Sequence, residues 1–190
     1  MKTGLFFGSF NPIHIGHLAI ANYFVEYTDL DKIWFVISPQ SPFKIKSSLL
    51  AEHHRYALVH TAIEDDSRFK ACNIEFHLPK PSYTIDTLTY LKEKYPDKEF
   101  ALIMGADNII HLHKWKNYEK IIQDFDIYVY PRPGIDTSIY EKNKKIHITK
   151  APLIEISASF IRSSIKEKKD VRYFLNTKVW EYIDEMNFYK

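Results

Sequence analysis

Two histidines near the start of the chain, His14 and His17, stand three residues apart in the segment GSFNPIHIGH, residues 8–17. A short apolar run precedes this segment and a longer one follows it, so the segment is predicted to join a strand to a helix. Side chains three positions apart point to the same side of a helix. Two imidazoles at a helix start can donate hydrogen bonds to an anion and can carry positive charge while it is bound.

The backbone of the same turn is suited to binding phosphate. Gly8 lets the chain approach a ligand closely, and Ser9 and Phe10 present backbone N–H groups. Gly16 leaves room above the start of the helix. Because the free N–H groups and the helix dipole both favour negative charge, the turn is predicted to bind an anion, above all a phosphate group.

Two other interpretations of the histidine pair stay open. The pair could bind a metal ion, although no carboxylate or third histidine accompanies His14 and His17 at a recognised ligand spacing. The pair could instead be structural, with the imidazoles capping the helix or filling the core. The structural interpretation leaves the neighbouring glycines and Pro12 unexplained.

Apolar runs alternate with helical patterns along the chain. The predicted strands are 5–7, 32–37, 69–74, 99–104, 125–130 and 145–149. The predicted helices are 18–27, 51–63, 84–95, 118–123, 159–168 and 176–186. The first of these helices is apolar on nearly all sides, which is typical of a buried helix. Strands that are apolar throughout predict an α/β fold, a doubly wound parallel sheet with helices on both faces.

Polar residues follow these strands where each strand ends. Gly8 and Ser9 follow the first strand, Gly105 and Asp107 follow the fourth, and Arg132 follows the fifth. Parallel sheets bind ligands at the carboxyl ends of their strands, near the point where the strand order reverses. We therefore expect these polar residues to meet at one site.

Composition limits the classes of protein to consider. The chain has 190 residues, 45% of them hydrophobic, which predicts one domain over 1–190 with a C-terminal helical part from about 156. A net charge of +2 gives no reason to expect a nucleic-acid partner. No apolar run approaches the ~20 residues that span a bilayer, and the N-terminal apolar run is too short for a signal peptide. The single cysteine favours a reducing compartment, so we expect a cytoplasmic protein, and a homo-oligomer stays open.

Two segments carry a resemblance to a known family. Residues 8–17 resemble the G-x-F-x-P-x-H-x-G-H signature of the nucleotidylyltransferase superfamily, and residues 156–162 resemble its I-S-x-[ST]-x-[IV]-R segment. This resemblance implies a Rossmann-like fold. It also implies transfer of a nucleoside monophosphate from a triphosphate to a phosphate-bearing acceptor. In the second segment, Ser157 and Ser159 are predicted to cap a helix, with Arg162 one turn in on the side of Ser159.

Further segments narrow the resemblance to the bacterial nicotinate-nucleotide adenylyltransferases. Residues 81–88 are similar to that family's P-S-Y-T-x-x-T-L segment, Asp107 and Trp115 to its G-x-D…W segment, and residues 132–134 to its R-P-G. The resemblance implies that the acceptor is nicotinate mononucleotide and that the product is nicotinate adenine dinucleotide. The chain departs from the family at Phe7, where a second glycine is frequent.

The resemblance implies two sets of binding residues. The ATP set is Gly8, Ser9, Phe10, His14, His17, Gly105, Asp107, Arg132, Ile156, Ser157, Ser159 and Arg162, of which His14, His17 and Arg162 are assigned to catalysis. The mononucleotide set is Lys44, Tyr83, Thr84, Asp107 and Trp115. Mg²⁺ is expected to be held by ATP and water, without a protein cage.

The chemistry of the side chains agrees with these assignments. Trp115 offers a face for a flat cationic ring, Thr84 offers N–H groups at a helix start for a carboxylate, and Asp107 can accept hydrogen bonds from ribose hydroxyls. Each of the three also fits a structural role as a packed aromatic or a helix cap. Lys44 either reaches a phosphate or is a solvated surface lysine. Other acceptors (nicotinamide mononucleotide or phosphopantetheine) stay open, as does a nucleotide sensor without turnover.

Overall fold

The computed structural model describes residues 1–39 and 49–190. The strands are β1 (Lys2–Gly8), β2 (Lys32–Ile37), β3 (Phe69–Cys72), β4 (Glu99–Gly105), β5 (Asp126–Tyr130) and β6 (Ile146–Ile148). The α-helices are α1 (Ile15–Tyr27), α2 (Glu52–Ile63), α3 (Thr84–Lys94), α4 (Ala106–Ile109), α5 (Tyr118–Asp124), α6 (Ala158–Lys166) and α7 (Thr177–Glu185). Short 3₁₀ turns join several of these elements.

The six strands form one parallel sheet in the order β3-β2-β1-β4-β5-β6. The chain builds outward from β1 to β3, then crosses back to place β4 on the other side of β1. This reversal between β1 and β4 leaves a crevice at the carboxyl ends of the two strands. The sheet confirms the predicted fold class.

Neighbouring residues of the central strands face opposite cores. Phe6 packs in the cluster that also holds Phe24 of α1, Leu58 of α2, Ile161 of α6 and Val179 of α7. Leu5 lies on the opposite face, in the cluster that includes residues of α3, α4 and α5. Because both faces are covered by helices, the strands can be apolar throughout.

Three details differ from the sequence-based expectation. The first helix is not buried all round: Ala21 and Phe24 are buried, while Tyr27 is 73% exposed. It packs one side on the sheet and leaves the other to solvent, so the prediction of a helix buried on all sides from its apolar residues was wrong. The third strand ends at Cys72, because the chain turns into a 3₁₀ segment at Ile74. The short helix α4 was not predicted, since four residues give too little pattern to detect.

The C-terminal helices return to the α2 side of the sheet. Val179 and Ile183 of α7 are buried with Leu58 of α2. Tyr189, near the end of the chain, donates a hydrogen bond of 2.8 Å to the Asn11 side chain in the first loop. This hydrogen bond ties residues near Tyr189 to the turn at residues 8–17. The assignment of 1–190 to one domain stays a prediction. No helix within the described residues has the length and apolarity to cross a membrane.

Candidate active site

A cleft of about 860 Å³ opens at the carboxyl ends of β1 and β4, where the strand order reverses. Most of the predicted site residues line it, although they come from six separate segments of the chain. The predicted residues that line the cleft are Gly8, Ser9, Phe10, His14, His17, Tyr83, Thr84, Gly105, Asp107, Trp115, Arg132, Ile156 and Ser157. Lys44 lies outside the described residues.

The histidine pair lies at the start of α1, on the wall of this cleft. The two rings are 3.8 Å apart between centroids and inclined by 32°. The backbone N–H of His14 donates to Nδ1 of His17 at 3.3 Å. Since Nδ1 of His17 accepts a hydrogen bond, the neutral ring carries its proton on Nε2, which remains a donor for a ligand. His14 is 5% exposed, and its buried Nδ1 has no hydrogen-bond partner among the described residues.

Both imidazoles are held in the neutral form. Burial lowers the pKa of His14 from 6.5 to about 4, and the positive charge of Arg132 acts in the same direction. Burial, His14 and Arg132 together lower the pKa of His17 well below its ordinary value. A bound phosphate would reverse the electrostatic part of this shift, because negative charge favours the protonated ring. The pair is thus suited to gain positive charge together with its anion.

Two glycines give the cleft its shape at the ends of the central strands. A Cβ atom at Gly8 would approach the Phe10 ring to 2.8 Å. A Cβ atom at Gly105 would overlap the Asp107 carboxylate and lie 3.1 Å from the Tyr130 ring. Because glycine has no Cβ atom, the Phe10 ring can lie against the end of β1, and the Asp107 and Tyr130 side chains can lie against the end of β4. A larger residue at Gly8 or Gly105 would displace these side chains from the cleft wall.

Asp107 and Arg132 face each other across the β4 and β5 ends of the cleft. Nε of Arg132 lies 3.4 Å from Oδ1 of Asp107, and both side chains are partly open to solvent. The guanidinium also lies over the Tyr130 ring, 5.0 Å from its centroid. A guanidinium stacked on an aromatic ring is held in a fixed plane, which suits it to binding a nucleotide phosphate or stacking on a base.

The first turn of α6 departs in part from the prediction. Ser157 is the N-cap, since its Oγ accepts a hydrogen bond of 3.2 Å from the Phe160 N–H. Ser159 is not a cap, because it lies inside the first turn and its Oγ accepts from Arg162 at 3.3 Å. Arg162 also donates to the Asn11 carbonyl at 2.7 Å. Unlike Ser157, neither Ser159 nor Arg162 lines the cleft described here.

The other end of the cleft is formed by α3 and the segment after α4. Helix α3 begins at Thr84, as predicted, with Tyr83 as its N-cap residue. Trp115 is half-buried there. The Lys116 ammonium lies 4.7 Å from the centroid of the Tyr83 ring and 2.9 Å from the Asp86 carboxylate. This end therefore combines aromatic faces, a helix N-terminus and a cation.

The sequence did not reveal Glu75, which lines the same cleft and is only 2% exposed. Its Oε1 accepts a hydrogen bond of 2.8 Å from the Thr87 hydroxyl, and burial raises the pKa of its carboxyl group. Its contact with α3 depends on how the 3₁₀ segment Ile74–His77 packs against that helix, so no local pattern indicated it. Lys114 and Lys116, on either side of the predicted Trp115, also line the cleft and were not predicted. No three potential metal-ligating side chains form a cluster in the described parts of the chain.

Comparisons with known proteins show which family this chain belongs to. The Cytidylyltransferase-like family matches residues 5–164. A protein of Flavobacterium johnsoniae, named "Probable nicotinate-nucleotide adenylyltransferase", is 55% identical to this chain over 192 residues. The match covers 100% of both chains. A protein of the same name from Bacteroides thetaiotaomicron is 49% identical, covering 97% of this chain and 92% of its own length.

Solved structures agree with the fold. The nicotinic acid mononucleotide adenylyltransferase of Plasmodium falciparum, complexed with NaAD, superposes with a TM-score of 0.82 at 24% identity, covering 99% of this chain and 97% of that one. At this identity the superposition supports the fold alone. The family match and the full-length relatives go further: the chain belongs to the Cytidylyltransferase-like family of nucleotidyltransferases and, within it, to the nicotinate-nucleotide adenylyltransferases.

Proposed function

We propose that this protein transfers the adenylyl group of ATP to the phosphate of nicotinate mononucleotide, releasing pyrophosphate and nicotinate adenine dinucleotide. The observation that carries the proposal is the joining of two dissimilar ends in one cleft. One end is the histidine-bearing turn at His14 and His17, and the other is the aromatic and cationic end at Tyr83 and Trp115. A volume of about 860 Å³ lies within the range of nucleotide-sized ligand sites.

The transfer is a direct displacement at phosphorus. A phosphate oxygen of the mononucleotide attacks the α-phosphorus of ATP, and the bond to the oxygen that bridges the α- and β-phosphates breaks as pyrophosphate leaves. The nucleophile is already an anion at neutral pH, so no general base is required. Catalysis then consists of positioning and of stabilising charge on the transferred group.

His14 and His17 are assigned to the ATP phosphates. His17 is the better candidate for the α-phosphate, because its Nδ1 is occupied by the His14 N–H and its Nε2 stays available as a donor. Ring-to-ring contact with His14 and edge contact with Phe10, 5.1 Å between centroids, fix the orientation of the imidazole. A donor that is already fixed stabilises developing charge without reorganisation.

The second group of phosphate ligands is assigned to the start of α6. Ile156 and Ser157 line the cleft there, and Ser157 begins the helix. Ser159 and Arg162 lie in the turn behind them, with Arg162 bonded to the Asn11 carbonyl. To contact the β- and γ-phosphates, Arg162 would exchange this carbonyl for a phosphate oxygen, which is the stronger acceptor for a guanidinium.

Acceptor binding is assigned to the far end of the cleft. Trp115 and Tyr83 offer aromatic faces for the nicotinate ring, and Thr84 begins the helix whose N–H groups suit its carboxylate. Lys114 and Lys116 add positive charge at the same end. This charge supports the acid form of the mononucleotide over the amide, since only the acid form gains from a nearby cation. Lys44 remains assigned to the acceptor by resemblance.

The reaction is proposed to use Mg²⁺ bound to ATP. In the cleft, the carboxylate of Asp107 is paired with Arg132, and the groups at the phosphate end are imidazoles and backbone N–H groups. This donor set fits the phosphates of a metal–nucleotide complex, with the ion held by phosphate oxygens and water. When bound, the ion neutralises phosphate charge. The protein is proposed to act in the cytoplasm without a nucleic-acid or membrane partner.

The proposal is tested by mixing the purified protein with MgATP and one acceptor at a time. The acceptors are nicotinate mononucleotide, nicotinamide mononucleotide and phosphopantetheine, and the readouts are pyrophosphate release and product mass. We expect release with the nicotinate form at a kcat/KM at least tenfold above the amide form. Release with another acceptor would preserve the chemistry and refute the acceptor. ATP binding without release for any acceptor would indicate a nucleotide sensor.

A further inference from the structure

Arg55 of α2 is a buried arginine whose hydrogen-bond partners among residues 1–39 and 49–190 are all backbone carbonyl groups. It is 1% exposed. Its Nη1 donates to the carbonyls of Ser9 and Ser38, each at 2.7 Å, its Nη2 donates to Pro39 at 3.0 Å, and its Nε donates to Leu50 at 2.9 Å. One side chain thereby joins the loop after β1, the end of β2 and the chain that leads into α2.

We infer that Arg55 is a positioning residue for the phosphate-binding turn: by holding the Ser9 carbonyl, it aims the Phe10 N–H at the phosphates of ATP. The inference rests on the proposed function, because the anion concerned is ATP. It adds a residue that lies outside the cleft wall and that none of the resemblances assigned.

The geometry of one peptide group carries this inference. The Ser9–Phe10 peptide is trans, so its carbonyl and its N–H point in opposite directions. With the carbonyl fixed on Arg55, the N–H of Phe10 faces away from α2. Phe10 lines the cleft, and its N–H donates to no acceptor in the part of the chain that the structure describes. An anion in the cleft would supply the acceptor.

The backbone at Phe10 has to be held in place. Its φ of +43° lies in the left-handed region, which is unfavourable for a residue with a bulky side chain. The Phe10 ring is 2% exposed and packs edge-on against Phe6, which secures the side chain. Arg55 secures the preceding peptide from the other side. Together they fix a backbone conformation that the local sequence does not favour.

The charge of Arg55 also matters, because none of the described carboxylates forms an ion pair with it. Glu52, three residues before Arg55, forms its ion pair with Lys80 at 3.0 Å. Buried charge is unfavourable unless it is compensated. The Ser9–Phe10 peptide dipole has its negative end on the guanidinium and its positive end toward the cleft. A phosphate beyond the N–H completes this arrangement, so ATP binding would compensate the buried charge.

The test uses ATP alone and two variants of the full chain. Arg55→Lys keeps the positive charge, but the lysine ammonium cannot reach all four carbonyl groups. The control is Arg172→Lys, which changes an exposed arginine paired with Asp170. Calorimetry gives the Kd for ATP, and ¹⁵N spectra follow the Phe10 amide. We expect Arg55→Lys to weaken ATP binding at least tenfold in folded protein and to abolish an ATP-dependent downfield shift of the Phe10 amide. The control should bind as the unaltered protein does.

Two results would overturn the inference. The first is a Phe10 amide that does not respond to ATP in the unaltered protein, a measurement that stands even if Arg55→Lys fails to fold. The second is an unchanged Kd in a folded Arg55→Lys variant. Loss of stability with unchanged ATP affinity would show a purely structural arginine. The ATP titration contains no acceptor, so it tests this inference separately from the reaction. If the Phe10 amide responds to ATP but the assay with acceptors shows no pyrophosphate release, the proposed function is refuted and this inference stands.

Discussion

At the scale of single residues, the histidine pair is organised by burial. His14 is enclosed, and its backbone N–H and its ring fix the orientation of the His17 ring, so the two rings form one packed unit on the cleft wall. Their lowered pKa values mean that both rings stay neutral when no anion is bound, and a bound anion would favour protonation. The predictions for individual side chains follow from this arrangement and from the aromatic end of the cleft.

His17→Ala should lower kcat by about 10²–10³-fold and change the KM for ATP much less, because a contact that strengthens in the transition state contributes mainly to kcat. Steady-state pyrophosphate release measures both constants. His113→Ala, at an exposed histidine outside the cleft lining, is the matched control and should leave both unchanged. An unchanged kcat in His17→Ala would remove His17 from the catalytic group.

Trp115→Ala should raise the KM for the mononucleotide by about tenfold, because loss of a stacking face costs roughly 1–1.5 kcal/mol. Calorimetry with ATP alone should give a nearly unchanged Kd, since Trp115 lies at the acceptor end. Trp115→Phe retains an aromatic face and should recover most of the loss. Weakened ATP binding in Trp115→Ala would mean that the two ends have been assigned in reverse.

The free energy of unfolding should fall as the pH drops from 6.5 to 4. The unfolded chain protonates His14 at the ordinary pKa of 6.5, whereas the folded chain resists protonation down to about 4. The unfolded state therefore binds more protons in this window, and the loss from His14 reaches at most about 3 kcal/mol. Urea unfolding across this pH range measures it. His14→Gln should show a shallower fall, and an identical slope in both proteins would contradict the assigned shift.

At the scale of elements, helix starts supply the ligand-facing groups. Helices α1, α3 and α6 all begin at the cleft, so their unpaired N–H groups converge there. Each start is made differently: His14 begins α1, Tyr83 begins α3, and Ser157 begins α6 with a side-chain cap. Because the starts differ, a cap residue of one helix can be substituted and its effect on the free energy of unfolding measured without ligand, separately from any effect on binding.

Ser157→Ala should lower the free energy of unfolding by about 1 kcal/mol, because the Phe160 N–H loses its acceptor. Urea unfolding without ligand measures this change. Ser163→Ala, at an exposed position within the same helix, is the control and should stay within about 0.5 kcal/mol of the unaltered protein. Equal stability of Ser157→Ala and the unaltered protein would contradict the capping role.

At the scale of the whole molecule, the two edges of the sheet have different tasks. The carboxyl edge carries the cleft, and the amino edge carries an ion-pair network centred on Lys2. The Lys2 ammonium lies 2.6 Å from Asp126, 3.0 Å from Asp29 and 2.9 Å from the Tyr128 hydroxyl. Its side chain is only 11% exposed. The network joins β1 to β5 across β4, far from the ligand groups.

Lys2→Met should lower the free energy of unfolding by about 2–3 kcal/mol, because it removes the nearer ammonium partner, at 2.6 Å, of the Asp126 carboxylate, which is 17% exposed and keeps the longer contact with Lys145 at 3.3 Å. Catalytic constants should stay unchanged, since the cleft is at the other edge. Lys178→Met removes an exposed ion pair with Glu64 and should cost less than about 1 kcal/mol. A catalytic defect in folded Lys2→Met would contradict this separation of the two edges.

The alternation of strands and helices and the position of the glycine- and histidine-containing turn could be predicted from the chain alone. These features are local: a strand that is apolar throughout shows its burial in consecutive residues, and Gly8, His14 and His17 lie within ten positions. The sequence also indicated the family, because the motifs at 8–17 and 156–162 are contiguous. What it predicted less well, such as the one-sided burial of α1 and the cap at Ser157 alone, depends on how neighbouring elements pack.

Contacts between residues far apart in the chain became visible in the fold and not before. Arg55 reaches the Ser9 carbonyl across 46 positions, and the Arg162 contact with Asn11 spans 151. Neither contact has a signature in the chain, because a hydrogen bond to a backbone carbonyl places no demand on the partner's side chain. Glu75 is hidden for a related reason, since its burial is created by the packing of α3 against the sheet. Sequence patterns record local periodicity, whereas these contacts depend on which elements become neighbours in the fold.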